Sequence, residues 1–365
     1  MSRHPGTAVV TGGSAGNGRA IARALAARGH DVAVLARDSK RLRETEDELH
    51  GYGVHARGIP CDVADAGQVE EAAKRAETEL GPIAVWVNNA MTTVIAPFCE
   101  METRDIQRIT DVNYMGYVHG MQSALRRMKP RDRGTIVNIG SGLSYRGIPL
   151  QTAYCATKAA IKNLTEGVRA ELFHDGSAVH LGMVMPPAVN TPQFAWAKTT
   201  MPKLPQAVPP IYQPEIIAEA VLKLIDDQSR EIFVGGSTVQ VWAGEQILPN
   251  AMGHVLAGKK GYASQQSDRP ATQANEEGNL YQPVEMDVAA HGYFDDKAKT
   301  DAVILDADNT RLGLVLGGAL ALFGLGALIG RATKSDDGAA GAGRDALPAP
   351  QEERLGGAPA AVPPG

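Results

Sequence analysis

The sequence predicts an α/β protein with a doubly wound parallel sheet, and two observations support this prediction. Short apolar runs rich in β-branched residues alternate with helical patterns from the N-terminus onward, which is typical of parallel strands covered by helices. A glycine-rich turn follows the first run directly and leads into a helix, as in open α/β sheets with a binding crevice at the strand ends. We expect about seven strands.

The predicted elements follow one another in regular alternation. The predicted strands cover 8–10, 32–36, 54–60, 83–87, 135–139, 179–185 and 231–234. The predicted helices cover 18–28, 40–49, 66–80, a stretch within 104–128, 153–173 and 215–226. Because right-handed crossovers return each strand parallel to the preceding one, residues 1–235 are predicted to form one domain.

Composition excludes several classes of function. The 365 residues carry a net charge of −5, which gives no electrostatic footprint for nucleic acid. Three widely spaced cysteines and nine histidines show no metal-ligand spacing, so we expect no metal site. The N-terminus lacks the pattern of a secretory signal, and we therefore expect the folded domain to be cytoplasmic.

The C-terminal third departs from the alternating pattern. Residues 236–311 are interpreted as an extension and polar linker, and the Ala/Gly/Pro-rich residues 331–365 as a disordered tail. Between them, Leu312–Gly330 has nineteen residues without a charged or polar side chain, about 28 Å as a helix. We expect this segment to cross a membrane once; the alternative is a helix buried against the domain. Its GxxxG spacings favour close helix pairing, and we expect a homo-oligomer.

The glycine-rich turn after the first strand indicates a phosphate-binding cradle. It reads Thr11-Gly12-Gly13-Ser14-Ala15-Gly16-Asn17-Gly18. Glycines allow a tight turn and close approach of the backbone to a pyrophosphate, and the helix N-terminus supplies free N–H donors. Such a run can also be a simple turn, but its position at the first strand–helix junction favours dinucleotide binding.

The end of the second strand indicates which dinucleotide is bound. Ala36 stands where an acidic residue would bind ribose hydroxyls, and Arg37 follows it. An arginine offers a bidentate fork for a 2′-phosphate, so the sequence favours NADP over NAD. The alternative for Arg37 is a solvated surface arginine.

A tyrosine and a lysine lie one helical turn apart in the segment Tyr154-Cys155-Ala156-Thr157-Lys158. A free tyrosine is a poor base at neutral pH, and bringing its pKa to about 7 requires roughly 4 kcal/mol of phenolate stabilisation. A neighbouring ammonium in a partly desolvated site can supply this. Ser141 ends the preceding strand and is close enough along the chain to fold back toward Tyr154.

Together these motifs resemble the single-domain branch of the short-chain dehydrogenase/reductase family, which has a Rossmann fold, over residues 5–235. The resemblance rests on TGxxxGxG, Asp62, Asn88-Asn89-Ala90, Asn113, Ser141 and YxxxK, in order and at the family's spacing. It implies an NADP(H)-dependent oxidoreductase that interconverts a secondary alcohol and a ketone or aldehyde. The apolar loop after Pro186 and the predicted anchor suggest a lipophilic substrate.

The resemblance also implies roles for individual residues. Tyr154 would be the general acid, Lys158 would lower its pKa and bind the nicotinamide ribose, and Ser141 would bind the substrate oxygen. Asn113 would hold a proton-relay water. The cofactor-binding residues implied are Thr11, Gly12, Ser14, Gly16, Gly18, Arg37, Asp62, Val63, Asn89, Ala90, Tyr154, Lys158, Pro186, Val189 and Thr191.

Three residues depart from the family pattern, and two other functions are alternatives. Asn17, Met91 and Pro187 replace the family's usual residues, and Pro187 bears on the loop geometry beside the nicotinamide. A catalytically idle NADP-binding membrane scaffold or sensor is the alternative function; the complete catalytic set argues against it. An extended-branch epimerase or dehydratase would space its glycines as TGxxGxxG. Phe194 and Trp196 either line an apolar pocket or anchor the loop.

Overall fold

The computed structural model describes residues 5–259 and 261–316 and contains an eight-stranded central sheet. The strands are β1 Thr7–Thr11, β2 Asp31–Ala36, β3 Ala56–Pro60, β4 Ile83–Asn88, β5 Thr135–Ile139, β6 His180–Met185, β7 Glu231–Val234 and β8 Ile304–Asp306. Their order is β8-β7-β6-β5-β4-β1-β2-β3, and all pair in parallel except β8, which is antiparallel to β7. The predicted doubly wound sheet and its seven strands are confirmed.

Helices cover both faces of the sheet. They are α1 Gly16–Ala27, α2 Ser39–His50, α3 Ala66–Leu80, α4 Thr103–Thr110, α5 Gly116–Met128, α6 Thr152–His174, α7 Pro214–Asp227, α8 Gly235–Ile247 and α9 Pro249–Ala257. A π-helical turn, Asp111–Met115, joins α4 to α5. Alternate residues of β1 serve the two layers: Val10 packs with α1 and α7, and Val9 with α3 and α5.

The strand order positions a crevice. β1 pairs with β2 on one side and β4 on the other. The chain therefore adds strands to one side of β1 first and then crosses to the other side. In open α/β sheets this reversal places a binding crevice at the carboxyl ends of the strands. Asp38 begins α2, since its Oδ1 accepts a hydrogen bond from the N–H of Arg41 at 2.9 Å, and Arg37 is left at the strand end.

The extension adds structure that its sequence did not indicate. β8 pairs with β7, matching Leu305 to Phe233 in register. The adjacent Glu231 carboxylate is 2% exposed and pairs with Arg311 at 2.6 Å. β8 has only three residues, which is too short for an alternating apolar pattern. The sequence around it therefore has the composition of a polar linker, although β8 packs against the domain. The compact unit that contains the sheet ends at Arg311.

The predicted membrane segment, Leu312–Gly330, lies mostly outside the described residues. Residues 307–316 are helical. In the part of the chain that the structure describes, no helix is both long enough and apolar enough to cross a membrane. The membrane segment therefore stays a prediction.

Candidate functional site

The turn between β1 and α1 forms a backbone cradle. Gly12 and Gly16 have φ of +63° and +57°, in the left-handed region that favours glycine. A Cβ on Gly18 would collide with the carbonyl oxygen of Gly12, and one on Gly16 would lie 3.3 Å from the Thr191 side chain. Ser14 and the residues up to Asn17 line the crevice. Glycine is therefore required for conformation at two positions and for close packing at a third.

Thr11 fixes the crevice between the ends of β1 and β4. Its Oγ1 accepts hydrogen bonds from the N–H groups of Asn89 at 2.9 Å and Ala90 at 3.1 Å. The Asn89 amide returns a hydrogen bond to the Thr11 carbonyl oxygen at 3.0 Å. The ends of β1 and β4 are thus held together beside the cradle by Thr11, Asn89 and Ala90, three of the predicted cofactor-binding residues.

Lys158 is buried one turn from Tyr154 on α6. Its Nζ donates to the carbonyl oxygen of Ile139 at 2.7 Å and to the Tyr117 hydroxyl at 3.0 Å. The same Nζ lies 5.8 Å from the centroid of the Tyr154 ring. The residue is 1% exposed, and burial lowers the pKa of the ammonium to about 7. Lys158 is therefore held at the end of β5, beside the tyrosine.

Tyr154 and Ser141 are hydrogen-bonded through their side chains. Burial raises the pKa of Tyr154 above its ordinary value of 10, and the hydrogen bond with Ser141 acts in the opposite direction. The sequence predicts that Lys158 lowers this pKa; in the structure the largest influence on it is burial, which raises it, and the group that lowers it is Ser141. The phenol is therefore protonated at neutral pH, and two neutral hydroxyl groups meet in the cleft.

Asn113 lies in the π-helical turn and is fully buried. Its Oδ1 accepts from the N–H of Thr92 at 2.8 Å, and its Nδ2 donates to the Thr92 carbonyl oxygen at 3.0 Å and to the Thr157 hydroxyl at 3.2 Å. The side chain ties the segment after β4 to α6. Both amide hydrogens are used, so the predicted relay water would have to be held by other atoms of Asn113.

Arg37 lies half-buried at the end of β2, and its guanidinium is hydrogen-bonded to main-chain carbonyl oxygens. Nη2 donates to the carbonyl oxygen of Asn279 at 2.5 Å, and Nη1 donates to those of Leu280 at 3.2 Å and Tyr281 at 2.9 Å. Burial lowers its pKa first, and the Arg108 guanidinium adds to this. The sequence offered two interpretations of Arg37, a phosphate contact and a solvated surface arginine, and neither includes these carbonyl partners. A main-chain acceptor has no sequence signature.

Carboxylates pair with the guanidinium groups around Arg37 but not with Arg37 itself. Arg41 Nη2 lies 2.7 Å from Asp38 Oδ2, and Arg108 Nη2 lies 2.6 Å from Asp62 Oδ2. Within residues 5–259 and 261–316, Arg37 has no ion-pair partner. Three of its five N–H groups are bonded to carbonyl oxygens, which leaves Nε–H and one Nη2–H for another acceptor.

The remaining predicted cofactor residues line the same cleft. Asp62 and Val63 follow β3, and Pro186, Val189 and Thr191 follow β6. Pro187, the departure noted in the sequence, is also part of this wall. The cleft thus brings together residues from the ends of six parallel strands, β1 to β6, with a cavity of about 430 Å³.

The loop after β6 both lines the cleft and anchors itself. Phe194 and Trp196 are lining residues. The ring of Phe194 also packs edge-on against Phe294, with centroids 5.8 Å apart, and the Arg41 guanidinium lies 5.2 Å above the Trp196 ring. Both interpretations of these aromatic residues therefore hold.

The extension supplies cleft residues that sequence reasoning missed. Val241 on α8 and Leu256 on α9 line the wall near Ser141, and Asn279 and Pro283 line the opposite end. Arg146 fixes the helical part of this wall, because its Nη1 pairs with Glu245 at 2.6 Å. Large apolar residues in an extension were visible in the sequence, but which of them reach the cleft depends on tertiary packing.

Comparisons with known proteins converge on one family. The family model described as short chain dehydrogenase matches residues 6–201. A protein named uncharacterized oxidoreductase YxnA, of Bacillus subtilis, is 30% identical over 75% of this chain and 77% of its own length. The 3-dehydrosphinganine reductase of Danio rerio is 32% identical over 59% of this chain and 67% of its own length.

A solved structure shares both fold and sequence similarity. It is an alcohol dehydrogenase from the archaeon Thermococcus sibiricus, complexed with 5-hydroxy-NADP. It superposes with a TM-score of 0.54 at 31% identity, covering 62% of this chain and 94% of that one.

Proposed function

This chain belongs to the short chain dehydrogenase family, and on that premise we propose that it is an NADP(H)-dependent oxidoreductase that interconverts a lipophilic secondary alcohol and its ketone or aldehyde. The observation that carries the proposal is the meeting of Ser141, Tyr154 and Lys158 in one cleft. The cleft also contains the glycine cradle, so the reacting groups and the cofactor site are continuous.

The residues of the cleft fit a nicotinamide dinucleotide. The glycine cradle lines the cleft at the N-terminus of α1, where the helix dipole and backbone N–H groups favour a pyrophosphate. Arg37 is half-buried, has no carboxylate partner among the described residues and has two N–H groups left. This supports the phosphate-bearing dinucleotide, NADP. When bound, that cofactor supplies or accepts the hydride of the reaction.

The side chains would handle the proton and orient the substrate. Tyr154 carries its proton at neutral pH, as an ordinary tyrosine does, and burial raises its pKa further, so it can donate this proton to a carbonyl oxygen during reduction. Ser141 would donate a hydrogen bond to the same oxygen. Lys158, fixed by Ile139 and Tyr117, would hold the ribose and restore the proton of Tyr154.

The substrate end of the cleft favours an apolar ligand. Leu143, Ile148, Val208, Val241 and Leu256 contribute to its lining. Burying apolar surface stabilises a bound ligand by about 25 cal/mol per Å². A ketone with a long apolar chain should therefore bind better than a short polar one.

A series of methyl ketones tests the function and its substrate class. With NADPH, we expect kcat/KM to rise at least about tenfold between four and ten carbons, because each buried methylene contributes about 0.8 kcal/mol. Leu256→Asp should reduce this dependence, whereas Val255→Asp should not, since Val255 is 52% exposed and does not line the cleft. No NADPH oxidation with any carbonyl compound would contradict the proposal.

The predicted membrane anchor belongs to the same proposal. We expect the full chain to remain in the membrane pellet after carbonate extraction, and the chain ended after Arg311 to appear in the supernatant. Ending after Arg311 keeps β8 and the ion pair with Glu231. Release of the full chain at high pH would show that Leu312–Gly330 does not span the bilayer.

A further inference from the structure

Residues 279–292, here called the strap, run along the open side of the cofactor cleft. They lie outside residues 6–201, which the family model matches, and contain no helix or strand. Asn279 and Pro283 line the cleft, and Leu280 and Ala290 are 0% and 1% exposed. The strap is thus an ordered part of the wall.

The first part of the strap is held at the end of the cleft formed by β2 and β3. Arg37 donates to three of its carbonyl oxygens, and Arg108 Nε donates to that of Leu280 at 3.1 Å. The Tyr281 hydroxyl donates to Asp105 at 2.9 Å. Most of these bonds reach the main chain of the strap, so they fix its path and depend little on its side chains.

The middle of the strap is held by α2. Arg41 Nη1 donates to the carbonyl oxygens of Val284 at 2.9 Å and Met286 at 3.3 Å. The other side of this guanidinium pairs with Asp38. Arg41 therefore links the strap to α2, the helix that follows Arg37.

The last part of the strap reaches the cradle and the end of β6. The N–H of Gly16 donates to the carbonyl oxygen of Ala289 at 3.0 Å, at the first residue of α1. The N–H of Gly292 donates to the Asn190 carbonyl oxygen at 3.2 Å. A Cβ on Gly292 would collide with the Thr191 carbonyl oxygen. The strap thus spans the cleft from the β2 end to Thr191, one of the predicted cofactor-binding residues.

We infer that the strap is an outer wall of the dinucleotide site, which closes over the bound cofactor and must detach before the cofactor can enter or leave. The inference rests on the proposed function, because it needs a dinucleotide in the cleft. Its basis is that donors from α1, α2 and α4 and the Arg37 guanidinium, together with the Asn190 carbonyl oxygen as an acceptor, all converge on one segment that crosses the cleft. A dinucleotide lying along the cradle would be enclosed between these elements and the strap.

Enclosure has a kinetic consequence. Entry and release of the cofactor share one step, the opening of the strap, and this step sets an upper limit on turnover. Carbonyl substrates whose chemistry is fast should therefore share a similar kcat while differing in KM.

Two substitutions loosen opposite ends of the strap. Gly292→Ala places a methyl group against the Thr191 backbone and displaces the end of the strap. Gly167→Ala is the matched control, because its Cβ would meet nothing within 4 Å on the exposed face of α6. Tyr281→Phe removes the hydroxyl bound to Asp105 without adding volume. It keeps the test valid if Gly292→Ala does not fold.

Stopped-flow binding of NADPH to the full chain measures the opening step. Trp196, close to Arg41 in the cleft, serves as the fluorescent reporter. In the wild type we expect the observed binding rate to reach a plateau as NADPH increases, because opening precedes binding. Gly292→Ala and Tyr281→Phe should raise the plateau and the dissociation rate by about three- to tenfold, and Gly167→Ala should change neither.

Hydrogen exchange gives a readout that does not depend on activity. We expect NADP to slow exchange of the 279–292 peptides in the wild type, and less so in Gly292→Ala. A binding rate that rises linearly without a plateau, with equal dissociation rates in all variants, would overturn the inference and leave the proposed function standing. Absence of binding by both NADPH and NADH would overturn both.

Discussion

Tyr154→Phe is expected to abolish turnover while NADPH affinity stays within a few-fold of the wild type. General acid catalysis contributes about 10²- to 10⁴-fold, and the substitution removes only the hydroxyl that carries the proton. The ring remains, and with it the contact with Lys158. Steady-state reduction of a long-chain ketone and fluorescence titration with NADPH measure the two quantities separately.

Tyr52→Phe is a suitable control, because Tyr52 is 45% exposed in the turn after α2. It should leave both rate and affinity unchanged. Residual activity of Tyr154→Phe above about a tenth of the wild type would mean that another group donates the proton. An equal loss of NADPH affinity would instead mean that the hydroxyl of Tyr154 acts mainly in holding the cofactor.

Arg37→Ala is expected to lower NADPH affinity by about ten- to hundredfold, since a charge-assisted hydrogen bond contributes roughly 1.5–3 kcal/mol. The structure adds a second consequence, because Arg37 also binds three carbonyl oxygens of the strap. NADH affinity should therefore fall as well, but by only a few-fold. The informative quantity is the ratio of the two affinities, measured by titration of wild type and variant.

Arg37→Lys separates the two roles of this residue. A lysine keeps the positive charge but cannot match the planar fork that meets three carbonyl oxygens and a phosphate together. We expect it to retain part of the preference for NADPH and to bind both cofactors less tightly. Equal losses for NADPH and NADH in Arg37→Ala, or equal use of both by the wild type, would contradict NADP specificity.

The parts of the fold that the sequence predicted are those with local signals. Seven strands follow from apolar runs between helical patterns, and the cradle follows from glycines at Gly12, Gly16 and Gly18, where the backbone leaves no alternative. YxxxK places Tyr154 and Lys158 on one helix face by periodicity alone. Their meeting with Ser141 followed from the family resemblance and the loop length.

The parts that the sequence did not predict depend on contacts without a side-chain signature. The strap is held mainly through its carbonyl oxygens, which every residue has, so nothing marks 279–292 as part of the cleft. In the extension, Trp242 packs on Phe233 with ring centroids 5.9 Å apart, while its neighbour Val241 lines the cleft. Which side chains of α8 face the cleft depends on how this helix packs against the domain.

Transfer of deuterium tests the central claim most directly. The purified full chain is incubated with a ten-carbon methyl ketone and NADPH deuterated at C4 of the nicotinamide, on either face in separate reactions, and the alcohol is analysed by mass spectrometry. The account predicts one deuterium on the carbinol carbon from one labelled face only, with much slower transfer from labelled NADH and none with Tyr154→Phe. An alcohol without deuterium from either face, or equal transfer from NADH and NADPH, would contradict it.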